Sequence, residues 1–204
     1  SAGSASCSGL NGTGIIAGNR LMEDLVGGSL AGMHAGKWIT KKNFGGTESL
    51  NETMFSAQAN IADMVSNASI NNTSNSSNIK MKLWNTFSSK MGFTRSLEGL
   101  QEAEKILEKL EMDAEQANLI DNNMIMNTNL TEILELRGLI SIARASIVAA
   151  SSRLESRGSH QRTDFQEKLD ETMLKHTLVD SNLQLNWLPL RKSASDTWIL
   201  TPSN

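Results

Sequence analysis

The residues of this chain that could do chemistry are three histidines, one cysteine, a glycine-rich run and an arginine-rich run. His34, His160 and His176 are nowhere paired at an H-x-x-x-H spacing, so they imply no metal-ligand set. Cys7 has no sequence neighbour that would lower its pKa, which leaves a nucleophilic role unsupported. As the single cysteine it also excludes an internal disulfide. Gly12-Thr13-Gly14-Ile15-Ile16-Ala17 fits G-x-G-x-x-A, a pattern that cradles dinucleotide phosphates when a buried strand leads into it. The preceding SAGSASCSGL is not such a strand, so the match stands out of context. The run Glu155 to Phe165, ESRGSHQRTDF, offers His160 as a general base, but no nucleophile or paired acid lies beside it. A structural role is the expectation for His160. Read alone, the run is a helix end, with Gly158 as the stop and Arg157 near the negative pole.

These residues need elements to position them, and apolar spacing supplies the outline. A helix is expected from Asn19, a good N-cap, through Ile39, with Glu23 and Asp24 in its first two turns. Its small residues Gly27, Gly28, Ala31, Gly32, Ala35 and Gly36 imply that another backbone or a ligand packs closely there. Further helices are expected over Glu48 to Val65 and Ile79 to Met91. Another follows Ser96, with Leu97, Leu100, Ile106, Leu107 and Leu110 at helical spacing. The longest should run from Leu130 to Arg157, with Leu139 among its buried positions. Several helices with one apolar stripe each need one another, and an antiparallel bundle is the simplest solution. Leu183, Leu185 and Trp187 alternate with polar residues before Pro189, which predicts a short strand.

Composition excludes more than it selects. The 204 residues carry a net charge of −3, which gives no reason to expect nucleic acid as a partner. No apolar run is long enough to cross a membrane. The first eight residues resemble neither a signal peptide nor an ordinary start, so the chain reads as processed or as a fragment. Ser66 to Asn78, SNASINNTSNSSN, reads as a surface loop or disordered insertion.

Several segments together resemble one family. ESRGSHQRTDF, followed by Leu174-Lys175-His176-Thr177-Leu178, resembles the C-terminal signature of succinate dehydrogenase and fumarate reductase flavoproteins. Leu134-Glu135-Leu136-Arg137, Lys82-Leu83-Trp84, Gly92-Phe93-Thr94-Arg95 and Leu97-Glu98-Gly99-Leu100 are similar to other segments of that family, as is the tail Leu185 to Leu190. Gly9-Leu10-Asn11-Gly12 and Asn19 to Val26 resemble, in one register, a stretch that borders the flavin. The resemblance implies that Asn11, Gly12, Asn19, Arg20 and Leu21 would be the cofactor-binding positions if a flavin is bound.

It also exposes departures. Ser4 stands where the family places a flavin-contacting glutamate, Asn11 where it places a substrate-binding histidine, and Ile15 where it places a carboxylate-clamping arginine. Arg20 replaces a serine near the flavin. Isoleucine cannot make an arginine fork's paired charged hydrogen bonds. The family's first phosphate-binding glycine loop, its flavin attachment site and its capping domain precede the region resembled. No catalytic residue and no metal ligand are therefore assigned.

The expected fold is mainly α: an antiparallel helical bundle with a short glycine-rich flavin-domain remnant and a short β tail. The expected division is 1–40 for the remnant, 41–79 for a helix and the Asn/Ser-rich loop, 80–180 for the bundle, and 181–204 for the tail. Two functions follow from the resemblance. One is a non-catalytic accessory or structural subunit held in a larger complex, with no cofactor in isolation. The other is the C-terminal half of a split FAD-dependent enzyme whose second chain supplies the missing parts. Either implies other protein subunits as partners, with the chain peripheral to an organellar or bacterial membrane complex. A free-standing helical domain is disfavoured, because it would leave the small-residue helix bare.

Overall fold

The computed structural model describes residues 1–14, 16–43, 45–69, 76–192 and 198–199. Ile15 and residues 70–75 of the expected Asn/Ser loop lie outside these. The chain forms two compact units, Ser1–Ala57 and Gln58–Asn204.

In the first unit a single 3-10 turn, Gly3–Ser6, packs on helix α1 (Asn19–Ile39). Asn19 was expected to cap α1, but it is the first helical residue. The cap is Gly18, at φ 88. The turn that delivers the chain, closed by the Asn19 N–H on the Ile16 carbonyl, needs a positive φ there, and glycine adopts it without a Cβ clash. No residue of α1 is buried. Of its glycines only Gly27 is closely approached, by the backbone of Gly3; a Cβ at Gly28, Gly32 or Gly36 would meet nothing. Helix α2 (Glu48–Ser66) begins in the first unit and ends in the second.

The second unit is built on α3 (Ser76–Lys90), α4 (Leu97–Glu115) and α5 (Thr128–Ser152), which pack pairwise. Lys90 at the end of α3 pairs with Glu102 near the start of α4. Ser76 at the start of α3 bonds Glu132 near the start of α5. The helices therefore run up, down and up, as the sequence predicts. Their core joins Ile79, Leu83, Ala103, Leu107, Leu110, Leu136, Ile140, Ala143 and Ile147. A smaller cluster gathers Met64, Ala117, Leu119 and Ile133. Ser96 caps α4 as predicted, accepting from the Gly99 N–H.

Three expectations about this unit need correction. The buried face of α5 is Ile133, Leu136, Ile140, Ala143, Ile147 and Ala150, a 3-4 spacing that leaves Leu139 38% exposed. Because α5 also carries Leu134, Leu139 and Ile142 outside that face, apolar spacing alone does not phase it; the positions of α3 and α4 do. Second, α5 ends at Ser152, five residues before Arg157. Gly158 is not its stop. It occupies, at φ 56, a tight turn in which Arg157 and His160 exchange backbone hydrogen bonds of 2.8 and 2.9 Å. Third, the tail strand β2 (Leu185–Pro189) starts after Leu183, which sits at φ 60 in the turn preceding it. Asp180 Oδ1 closes that turn by accepting from the N–H groups of Asn182 and Gln184. The partner of β2 is β1 (Lys175–Val179), in an antiparallel register that sets Thr177 opposite Trp187. Between α5 and β1 lies the short helix α6 (Asp170–Met173). A second antiparallel pair, β3 (Arg191–Lys192) and β4 (Trp198–Ile199), follows.

Candidate functional site

Two of the positions singled out near the N-terminus, Asn11 and Asn19, fall at one concavity within the first unit. Gly3, Ser6, Ser8, Leu10, Asn11, Asn19, Met22, Glu23, Val26, Gly27 and Leu30 enclose a cavity of ≈ 440 Å³. Asn11 and Asn19 meet there, with Asn19 Nδ2 donating to Asn11 Oδ1 at 3.2 Å. Gly12, Arg20 and Leu21 do not line it. One acid, Glu23, organises its polar wall, and a second, Asp24, ties down the chain beside it. Glu23 accepts from Asn11 Nδ2 and from Ser8 Oγ, each at 2.6 Å. Asp24 accepts from the Ser4 N–H at 2.6 Å and from Ser4 Oγ at 2.7 Å. These bonds, the backbone one first, hold the Asp24 carboxyl below its ordinary pKa. Among the described residues no lysine or arginine lines the cavity. The sequence places Glu23 and Asp24 in α1 but gives no signal that they would take up Asn11, Ser8 and Ser4.

A flavin dinucleotide brings an apolar ring and an anionic pyrophosphate. Leu10, Met22, Val26 and Leu30 could face the edge of the ring. The pyrophosphate would find a carboxylate and no cation, so the residues present suit the ring edge alone.

The second cluster lies where α5 ends. Glu155 is fully enclosed and bridges Arg153 Nη2 at 2.6 Å to the Nε and Nη2 of Arg157 at 2.9 Å, while the Leu169 N–H donates to it at 3.0 Å. Burial alone would push its carboxyl up; the hydrogen bonds from Arg157, Arg153 and Leu169 outweigh this and hold it at about 2. Arg153 also donates to the carbonyls of Lys175 and Met173, tying the β hairpin to the helix end. Arg162 forks onto both oxygens of Asp164 at 2.7 Å. Its Nη1 donates to the Ala150 and Arg153 carbonyls, a cation at the negative end of α5. The Arg162 fork holds Asp164 well below the usual carboxylate range. His160 is buried between Arg95 Nη1 at 2.9 Å and the Arg153 carbonyl at 3.1 Å. Burial is the main reason its pKa is lowered, helped by Arg95, Arg162 and Arg153. Most of the polar atoms here are bound within the cluster, the buried Nε of Arg95 and of Arg153 excepted, and the arrangement has the form of a structural clasp, the role the sequence leads one to expect for His160. Glu155, Arg153 and Arg95 as its members were missed. Their types are visible in the sequence, but their meeting depends on the chain leaving the helix at Arg153.

Cys7 is exposed. Among the described residues no group of three metal-ligating side chains comes together, and no helix is long and apolar enough to cross a membrane.

Comparison with known proteins gives one consistent result. Residues 80–198 match the family model described as fumarate reductase flavoprotein C-term. The fumarate reductase flavoprotein subunit of Mycobacterium tuberculosis is 31% identical over 195 residues, covering 93% of this chain and 33% of the relative. The 8-methylmenaquinol:fumarate reductase flavoprotein subunit of Wolinella succinogenes is 29% identical, covering 91% and 31%. The solved structure of E. coli quinol fumarate reductase FrdA superposes with a TM-score of 0.72 at 25% identity, over 91% of this chain and 30% of that one. A quinol-fumarate reductase structure with menaquinol gives a TM-score of 0.77 at 24% identity, over 86% and 31%, a likeness of fold. The chain thus spans about a third of the length of these relatives. With its bundle, its clasp and its hairpin matched together, the chain belongs to the family of succinate dehydrogenase and fumarate reductase flavoproteins and corresponds to their C-terminal region.

Proposed function

We propose that this chain is a non-catalytic accessory or structural subunit, derived from a succinate dehydrogenase or fumarate reductase flavoprotein and held in a larger complex. One observation carries the reading. Of the polar side chains lining the N-terminal concavity, Ser8 and Asn11 are bound to Glu23, and among the described residues no cation lines it. A dicarboxylate carries two negative charges and needs paired cationic donors. Here it would meet a carboxylate instead, at an unfavourable like-charge contact. On this reading residues 1–40 are a flavin-domain remnant and the bundle is the part that docks. The exposed apolar residues of α1, among them Leu21, Leu25, Leu30 and Trp38, are then covered by another protein subunit of the complex.

A second reading is favoured by the apolar half of the same cavity: a split enzyme, in which another chain supplies the phosphate loop, cap and catalytic groups. Asn11, Gly12, Asn19, Arg20 and Leu21 would then border an FAD held mainly by that partner. The absorbance spectrum of the natively purified assembly separates the two. No flavin band attributable to this chain is expected, and titration with succinate or fumarate should give no binding heat. A flavin band stoichiometric with the chain would overturn the accessory reading.

A further inference from the structure

The clasp contains one group whose protonation its neighbours cannot tolerate. His160 has a partner on each ring nitrogen, and both partners have fixed polarity. Arg95 Nη1 only donates, so Nδ1 of His160 must accept at 2.9 Å. The Arg153 carbonyl only accepts, so Nε2 must carry the proton and donate at 3.1 Å. The structure therefore requires the neutral Nε2–H tautomer, with the Nδ1 lone pair fully used. His160 Nδ1 is also the one acceptor of the Arg95 guanidinium among the described residues; Arg95 Nε is buried without a partner. Arg95 lies between α3 and α4, and His160 in the turn beyond α5. Around this contact the backbone joins the same two segments: the Arg95 N–H donates to the Gln161 carbonyl at 2.9 Å and the Thr163 N–H to the Arg95 carbonyl at 2.8 Å.

We propose that the Arg95–His160 pair is a proton-operated latch between the α3–α4 connection and the turn at 157–163, closed while His160 is neutral and opened when a proton takes the Nδ1 lone pair. A proton on Nδ1 turns the acceptor into an N–H pointing at a guanidinium. The charged groups facing the ring are cations from every side: Arg95 from the α3–α4 connection, Arg153 from the end of α5, and Arg162 from the same loop. The carboxylates of that loop are committed elsewhere, Glu155 to Arg153 and Arg157, and Asp164 to Arg162 and the Leu97 N–H. With no anion free to neutralise the imidazolium, the contact breaks and Arg95 turns out to solvent. The two backbone bonds that flank it then open, while the bundle core, which shares none of these bonds, stays closed.

The direction with pH follows. The folded-state pKa lies below that of a free imidazole, so the latch is fully closed above the ordinary histidine range and loosens as pH falls beneath it. The test is a histidine-¹⁵N titration of the full chain, with amide exchange followed in parallel. At neutral pH, His160 should show a bare Nδ1 and a protonated Nε2. Below the ordinary histidine range, exchange at Arg95 and Thr163, corrected for its intrinsic pH dependence, should accelerate by about tenfold per pH unit, as the protonated population does. Ile140 and Ala143 should keep their protection. In Arg95→Met the accelerated step should vanish and His160 should titrate at a higher pH than in the unaltered chain. The proposal is overturned by a proton on Nδ1 at neutral pH, by exchange at Arg95 and Thr163 that ignores the titration, or by Ile140 and Ala143 opening in the same step.

Discussion

Helices α1 and α4 are of similar length, 21 and 19 residues, and both carry apolar side chains at helical spacing, yet they end in opposite environments. In α4 the residues Leu100, Ala103, Leu107, Leu110 and Ala114 are buried against α3 and α5. In α1 nothing is buried, and Leu21, Met22, Leu25, Val26, Leu30 and Met33 are all exposed. The difference teaches that a stripe is a demand for a surface, and whether the demand is met depends on what else folds beside it. In the Gln58–Asn204 unit the stripe of α4 is covered; in the Ser1–Ala57 unit that of α1 is not, and a Cβ at Gly28, Gly32 or Gly36 would meet nothing.

The largest expected effect contrasts two acids that each accept from several donors. Glu155→Ala strips Arg153 and Arg157 of a fully enclosed counter-charge and should cost about 3–5 kcal/mol in chemical denaturation. Asp24→Asn, at an exposed site, should leave the denaturation midpoint almost unmoved. Equal losses would mean that burial is not what separates the two units.

Next comes the apolar face itself. Leu136→Ala, at a fully buried position, should cost about 2–5 kcal/mol. Leu139→Ala, three residues on and 38% exposed, should cost under about 1 kcal/mol. A reversed order in urea titrations would rephase α5. Acid provides a third contrast. Glu155 is held at about 2, so its contribution is complete above the usual glutamate range and is lost as pH falls from there toward 2. Stability curves at successive pH values should therefore drop across that window for the unaltered chain and stay flatter for Glu155→Gln.

Smaller effects probe helix ends and the open stripe. Ser96→Ala removes the α4 cap and should cost about 0.5–2 kcal/mol, read from the same denaturation midpoints. Gly28→Ala and Gly32→Ala meet nothing and should stabilise α1 by roughly 0.5–1 kcal/mol each, seen as a rise in helical circular dichroism. The pair Gly28→Leu and Gly32→Leu should keep the bundle's helicity but block assembly with the partner subunits; normal assembly would show that the stripe faces solvent.

Much of the bundle was legible because local rules and global packing agree there. Ser96 followed by an apolar 3-4 pattern specifies both a cap and a face, and α4 obeys both. Where two rules competed, the sequence misled. Asn19 is a good cap, but Gly18 alone tolerates the φ that the incoming turn needs. Gly158 is a good helix stop, but Arg153 leaves the helix first, and its guanidinium there binds Glu155 and the carbonyls of Met173 in α6 and Lys175 in β1. The N-terminal positions were named from resemblance to a flavin-bordering stretch. That Asn11 and Asn19 meet at one cavity, and that Glu23 claims the first of them, is set by the fold of the loop on α1.

By itself the sequence determined which long segments are helical, that they pair as a bundle, and which family they come from. Each of these rests on spacing or on residues read in order along the chain. Tertiary structure alone decided which side of α5 is inside, where α5 stops, how β1 joins β2, and how Arg95, Arg153, His160 and Arg162 converge. Those outcomes depend on contacts between different elements, as far apart in the chain as Arg95 and His160. A contact of that kind is chosen by the packing and charge balance of the whole unit, and no local stretch encodes it.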